Sequence, residues 1–208
     1  MKTIGYIVDT IEMTLRKERR GILKKSQIQT AVRVGVNNFF VKQLAQYRVT
    51  GFVPTPLQPF ISTVTLSLSN GAAPVPENFS KEITFYIPSV NSNPAVFMNR
   101  AEFQERNNSV LMPPSELDPV GIIESNYVHV RPINTTSINF TYIKKPTDVV
   151  IATTASLDGR SLSYDDANSV DTEFYIEYSP DIIKEALQFL SVPHQDPNAA
   201  QLAQTTNE

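Results

Sequence analysis

Val110–Pro146 reads VLMPPSELDPVGIIESNYVHVRPINTTSINFTYIKKP. A Pro-rich lead runs into one short apolar stretch, Ile122–Val130. Pro132, Asn134 and two Thr residues interrupt it. The next run, Ser137–Ile143, alternates: Ile138, Phe140 and Tyr142 point one way, Asn139 and Thr141 the other. Period-2 alternation of β-branched and aromatic residues predicts two strands of a hairpin with one buried face. Pro146 ends the second strand, because it has no N–H for a further ladder step. The expected arrangement puts this hairpin at the centre of a β-rich region, with helices on both sides in sequence.

Working back toward the N-terminus, Lys81–Val90 predicts a strand with Ile83, Phe85 and Ile87 on one face. Phe60–Ser69, FISTVTLSLS, is the clearest alternating segment, and Asn70-Gly71 marks the turn after it. Ala95–Asn107 fits either a strand or a short helix. Gly51–Phe60 carries Pro54, Pro56 and Pro59 and reads as an extended connector.

Before that connector lie two helical patterns. Ile4, Ile7, Val8, Ile11 and Leu15 place an apolar stripe on a helix over Thr3–Arg20, with Gly21 just past its end. Ser26-x-x-Gln29 has the form of a capping box opening a second helix that runs to about Tyr47. A short link predicts that the two form an antiparallel pair. Gly35 lies on the apolar face of the second helix. A helical Gly costs up to about 1 kcal/mol relative to Ala, so close approach of another helix is the expected reason for it.

Beyond the hairpin, Thr147–Asn168 reads as a long polar loop with a small hairpin around Asp158-Gly159. Val170–Tyr178 reads as a strand feeding a last helix, with Ser179 as N-cap, Pro180 at its first position and a buried face of Ile182, Ile183, Ala186, Leu187 and Leu190. His194–Glu208 is small and polar and cannot build a core alone. The expected fold is α+β: a helical bundle from the N- and C-terminal helices, an inserted antiparallel β-rich domain, and an extended C-terminal tail. The domain boundaries expected are 1–50 for the helical pair, 51–178 for the insertion, 179–192 for the closing helix and 193–208 for the tail.

The 208 residues suffice for one domain with a sizeable core or for two small ones. Net charge is −3, so no strong overall field draws the chain to nucleic acid or acidic lipid. There is no Cys, which removes disulfides and thiolate metal sites. No stretch approaches the ~20 apolar residues of a membrane helix, so no membrane partner is expected. Asp9 and Glu12 interrupt the apolar N-terminal run, which argues against a signal peptide.

No nucleophile elbow, zinc-protease helix or phosphate loop is present. The two histidines are His129, in a predicted strand, and His194, near the C-terminus. Asp165-Asp166 lacks the alternate oxygens of a calcium loop and reads as a solvated turn. A hydrolase built on Asp165, Asp166 and His129 is the weakest reading, so no enzyme, no cofactor and no metal are expected. The one sharp electrostatic feature is Arg16, Lys17, Arg19, Arg20, Lys24 and Lys25. It is either a solvated helix end or a patch for phosphates or an acidic partner.

In order along the chain stand NNFFVKQLAQY, TPLQPFISTVTLSL, the step Pro76-Glu77-Asn78-Phe79, MPPSELDPVGIIESNYVHVRP, FTYIKKP and TEFYIEYSPDIIKEALQFL. This succession resembles the head-to-tail connector proteins of short-tailed, crAss-like phages of Bacteroidetes. The resemblance implies a virion structural protein of the neck or tail, forming a homo-oligomeric, dodecameric ring around the passage for genomic DNA. Its partners would be the portal protein and other neck and tail rings, assembled in the host cytoplasm. The tail, with His194, Asp196, Pro197 and Leu202, would then dock on the portal or a neighbouring subunit. The basic patch would face DNA or the adjacent ring. The alternative is a β-sandwich adhesion module recognising a surface glycan or protein.

Overall fold

A computed structural model describes residues 2–17, 25–90, 92–155 and 162–191. It is α+β, with helices and antiparallel sheets. Contacts divide the chain into two compact units. Phe60–Lys145 forms one. The described residues before Phe60 and after Lys145 form the other.

The first unit is built from α1 (Thr3–Lys17), α2 (Lys25–Thr50), a two-stranded ladder of β7 (Thr153–Ala155) and β8 (Leu162–Tyr164), and α4 (Ser179–Ser191). The α1 stripe is buried as its spacing predicts: Ile4, Ile7 and Ile11 are fully inaccessible, and Val8 and Leu15 nearly so. α4 packs most extensively on α2 and also on α1, whereas α1 and α2 touch each other less. The predicted antiparallel pair of α1 and α2 is therefore not the main packing. The C-terminal helix buries Ile182, Ile183, Ala186 and Leu190.

Gly35 is the reason α4 comes so close to α2. A Cβ built there would stand 2.8 Å from the Ile182 carbonyl oxygen and 3.0 Å from the Ala186 nitrogen. Farther along α2, Lys42 Nζ meets the buried carboxylate of Glu185, the neighbour of Ala186 on α4, at 2.5 Å. A buried carboxylate left without that partner would be strongly destabilising.

Helix α1 is capped from a distance. The Asp171 carboxylate accepts hydrogen bonds from the backbone N–H of Thr3 at 2.9 Å and of Ile4 at 2.8 Å. Lys2 Nζ donates to the Ser169 carbonyl at 2.6 Å, and the Lys2 N–H donates to Asp166 at 3.2 Å. The four orphan donors of a helix start are thus partly satisfied by residues far along the chain.

Several local expectations change in this unit. α2 starts at Lys25, so Ser26 sits inside its first turn instead of capping it. Thr55–Phe60 is a 3-10 turn, not an extended connector, and it buries Leu57 and Phe60 completely. Val170–Tyr178 forms no strand. Val170 makes one bridge to Val150, and Ile176–Tyr178 is a 3-10 turn running directly into α4. That turn leaves Ser179 at φ −55, ψ −40, a helical conformation, so it cannot act as an N-cap. Its hydroxyl is buried without a partner among the described residues. The small hairpin expected within Thr147–Asn168 is present as β7 and β8. Its Asp158-Gly159 turn and the 193–208 tail lie outside the described residues.

The second unit holds two three-stranded antiparallel sheets. One has the order β1 (Ile61–Ser67), β6 (Ser137–Lys144), β3 (Phe79–Tyr86). The other has the order β2 (Ala72–Pro74), β5 (Tyr127–Arg131), β4 (Val120–Glu124). Both contribute to one core: Phe85, Ile138, Phe140 and Tyr142 from the first, Val128 and Val130 from the second. On the outer face Thr63 meets Thr141 at 3.0 Å and Thr65 donates to Asn139 at 2.7 Å. The alternation read from Ser137–Ile143 is therefore one apolar and one polar face.

The Ile122–Val130 run is not one strand. It breaks at Ser125 (φ 50) and Asn126 (φ 64) into the β4–β5 hairpin, with Glu124 opposite Tyr127. Two consecutive positive φ values make the tight turn whose twist suits a hairpin. Both edges of β5 are then occupied, by β2 and β4, and β6 pairs instead with β1 and β3. Asn70-Gly71 makes the expected turn, with φ 51 and 71. The β3 ladder is irregular between Glu82 and Thr84, which leaves Ile83 only half-buried and returns Phe85 to the core opposite Phe140.

Two substitutions test the helical unit. Gly35→Ala would raise helix propensity by about 1 kcal/mol. Because the added Cβ meets backbone of α4, we expect net destabilisation on the order of 1–3 kcal/mol in urea unfolding. A more stable variant would show that α4 does not lie there. Asp171→Ala should cost about 0.5–2 kcal/mol and speed hydrogen exchange at the Thr3 and Ile4 amides. Unchanged exchange would remove the distant cap.

Candidate interaction surfaces

The ambiguous segment Ala95–Asn107 contains both predicted forms. Ala95 bridges Phe85 and Phe97 bridges Gly121, and then α3 (Arg100–Asn107) begins. Asn99 caps it: its side chain accepts from the Glu102 N–H at 3.0 Å, and Glu102 accepts from the Asn99 N–H at 3.3 Å. This reciprocal pair is a capping box, and Asn-x-x-Glu was visible in the sequence. α3 buries none of its residues.

From the last turn of α3, Arg106 reaches over the following loop. It donates to the Met112 carbonyl and to the Asp118 carboxylate. The Met112 N–H donates to Ser109 Oγ at 3.1 Å. Ser115 and Asp118 exchange backbone hydrogen bonds at 3.2 Å each, and Asn134 donates to Glu116 at 3.3 Å. Pro113 and Pro114 fix two further φ angles. The loop is thus latched at several points along its length.

Its apolar side chains nevertheless point to water. Val110 and Leu111 are each 93% exposed, Met112 61% and Leu117 66%. Burying such a side chain is worth roughly 1.5–3 kcal/mol, so the fold leaves this surface unused. A shallow groove beside it is lined by Met98, Glu102, Glu105, Arg106, Ser109 and Met112.

α2 carries a second such surface. Its buried side holds Ile28, Val32, Val36, Phe40 and Leu44. Val41, Ala45 and Val49 recur at helical spacing on another side, Phe52 follows just past the helix end, and all are exposed, Val49 by 87% and Phe52 by 82%. Phe52 is held in place past the helix end. Gly51, at φ 71, donates to the Tyr47 carbonyl at 2.8 Å, and the Phe52 N–H donates to Thr50 Oγ1 at 3.2 Å. A left-handed Gly is the usual helix stop.

The residues singled out from sequence fall elsewhere. Arg16 and Lys17 end α1 and Lys25 opens α2. Arg19, Arg20 and Lys24 lie outside the described residues, as do His194, Asp196, Pro197 and Leu202. His129 is a half-buried residue of β5, opposite Ala72 and Ile122, with the Tyr127 ring 6.3 Å away. Asp165 closes a turn: the side-chain amide of Asn168 donates to it at 2.7 Å and holds its carboxyl below the usual carboxylate range. Among the described residues, no helix is long and apolar enough to cross a membrane, and no cluster of three His, Asp or Glu residues could hold a metal ion.

No protein-family model matches the chain, and no curated protein is significantly similar to it.

Arg106→Gln should release the 109–118 loop. Because the ion pair is largely solvated on the Asp118 side, global stability should fall by only about 1 kcal/mol, while proteolysis within 110–117 accelerates. Unaltered cleavage would mean that Arg106 does not latch the loop.

Proposed function

We propose that this chain is a non-enzymatic virion structural protein: a head-to-tail adaptor forming a ring in the neck of a short-tailed phage, between portal and tail, around the passage for genomic DNA. The observation that carries the reading is the latched loop with Val110, Leu111 and Met112 in water. A stiff backbone presenting apolar side chains has already met the ordering cost of docking, which suits permanent assembly. The order of segments resembling phage connector proteins supports the same reading.

In this account the N- and C-terminal helices form a bundle carrying the β-rich insertion, and copies form a dodecameric ring coaxial with the portal. The 193–208 segment is the docking tail, with His194, Asp196, Pro197 and Leu202 meeting the portal or a neighbour. A segment that cannot build its own core orders on a partner, and the contact offsets the entropy lost. Arg16, Lys17, Arg19, Arg20, Lys24 and Lys25 face DNA or the acidic surface of the adjacent ring.

A second reading, an adhesion module, rests on the two antiparallel sheets sharing one core. Imaging of purified particles separates the two. Density for this chain is expected at the neck, and purified chain should bind purified portal. Deleting 194–208 should weaken that binding and leave the melting temperature unchanged. Absence from the neck together with selective glycan binding would replace the adaptor by the adhesion module.

A further inference from the structure

We propose that the 110–117 loop of one copy of the chain docks on the α2 stripe of a second copy, so that copies join head to tail. The proposal rests on the ring reading and names the contact that would build it. Both surfaces are apolar and exposed: Val110, Leu111 and Met112 on the latched loop, Val41 and Val49 on the helix with Phe52 just past its end. They differ in the charge around them.

Beside the loop stands Glu105, an exposed carboxylate on the groove wall with no ion pair among the described residues. The other acids there are engaged: Glu102 in the α3 cap, Glu116 with Asn134, Asp118 with Arg106. α2 carries Lys25, Arg33, Lys42 and Arg48 and no Asp or Glu. Arg33 is paired with Asp148 and Lys42 with Glu185. Arg48, beside Val49, is exposed and has no ion pair among the described residues.

Loop on stripe therefore sets apolar side chains against apolar side chains and a free acid near a free base. Stripe on stripe would bring Arg48 rows together, and loop on loop would face Glu105 with itself. Like-charge juxtaposition suppresses the wrong pairing and complementarity favours the mixed one. Joined head to tail, each copy keeps one patch of each kind for the next, and such contacts generate closed rings or open filaments.

The chain has no native Cys, which makes cross-linking unambiguous. Val49→Cys and Leu111→Cys should cross-link when the two variants are mixed, while neither variant alone should form dimers. The double variant should give a ladder of multimers. Dimers from a single variant, or no cross-link in a folded mixture at high concentration, would overturn the contact. Arg48→Glu or Glu105→Arg alone should weaken self-association roughly tenfold, and the two combined should restore it. No restoration would also count against the pairing. If the chain sediments as a large oligomer without this cross-link, the contact is wrong and the ring reading stands. If the chain cross-links as expected but is absent from the virion neck, the contact stands and the neck ring is wrong.

Discussion

The approach of α4 to α2 at Gly35 is the contact on which the helical unit depends. With hydrogen at position 35 and a methyl at Ala186, the backbone of α2 comes close to that of α4. The Lys42–Glu185 pair needs the same approach, because Glu185 is almost inaccessible and its charge must be met by a neighbour. The Phe39 ring packs edge-on against Phe174 at 5.1 Å, just ahead of the turn that launches α4. The chain that returns from the β-rich unit is thus fastened at successive points, beginning with Asp171 on the first N–H groups of α1.

The β-rich unit is organised by a different constraint. β6 is central in its sheet, with β1 and β3 on its two edges, so its side chains serve two ladders at once. Phe140 lies between Tyr142, stacked at 5.2 Å, and Phe97, edge-on at 5.5 Å, and is fully buried. Aromatic pairs in these arrangements add to what area burial alone supplies. The second sheet closes over the same cluster with Val128 and Val130. The sheets satisfy their own apolar demand, which makes the unburied Val110–Met112 tip a distinct feature and not a deficiency of core.

Several acidic side chains are committed to structure: Asp165 and Asp171 to backbone N–H groups, Glu185 to Lys42, Asp118 to Arg106. Two apolar surfaces, Val110–Met112 on the loop and Val41, Ala45 and Val49 on α2, are left exposed.

Much of this was legible in residue order. The α1 stripe, the α4 face, the alternation of Phe60–Ser69 and Ser137–Ile143, the Asn70-Gly71 turn and the purpose of Gly35 all follow from periodicity and local chemistry. These are short-range properties, and they determine what kind of element forms. What the tertiary structure alone decided is which element meets which. Ile122–Val130 splits because Ser125 and Asn126 take left-handed backbone. β6 pairs with β1 and β3 because β5 already has both neighbours. The cap of α1 comes from Asp171, too far along the chain for spacing to reveal it. Val41, Val49 and Phe52 look in sequence like any apolar residues, and only the tertiary structure shows them exposed. Pairing and exposure depend on competition among surfaces distant in the chain, and no local pattern records its outcome.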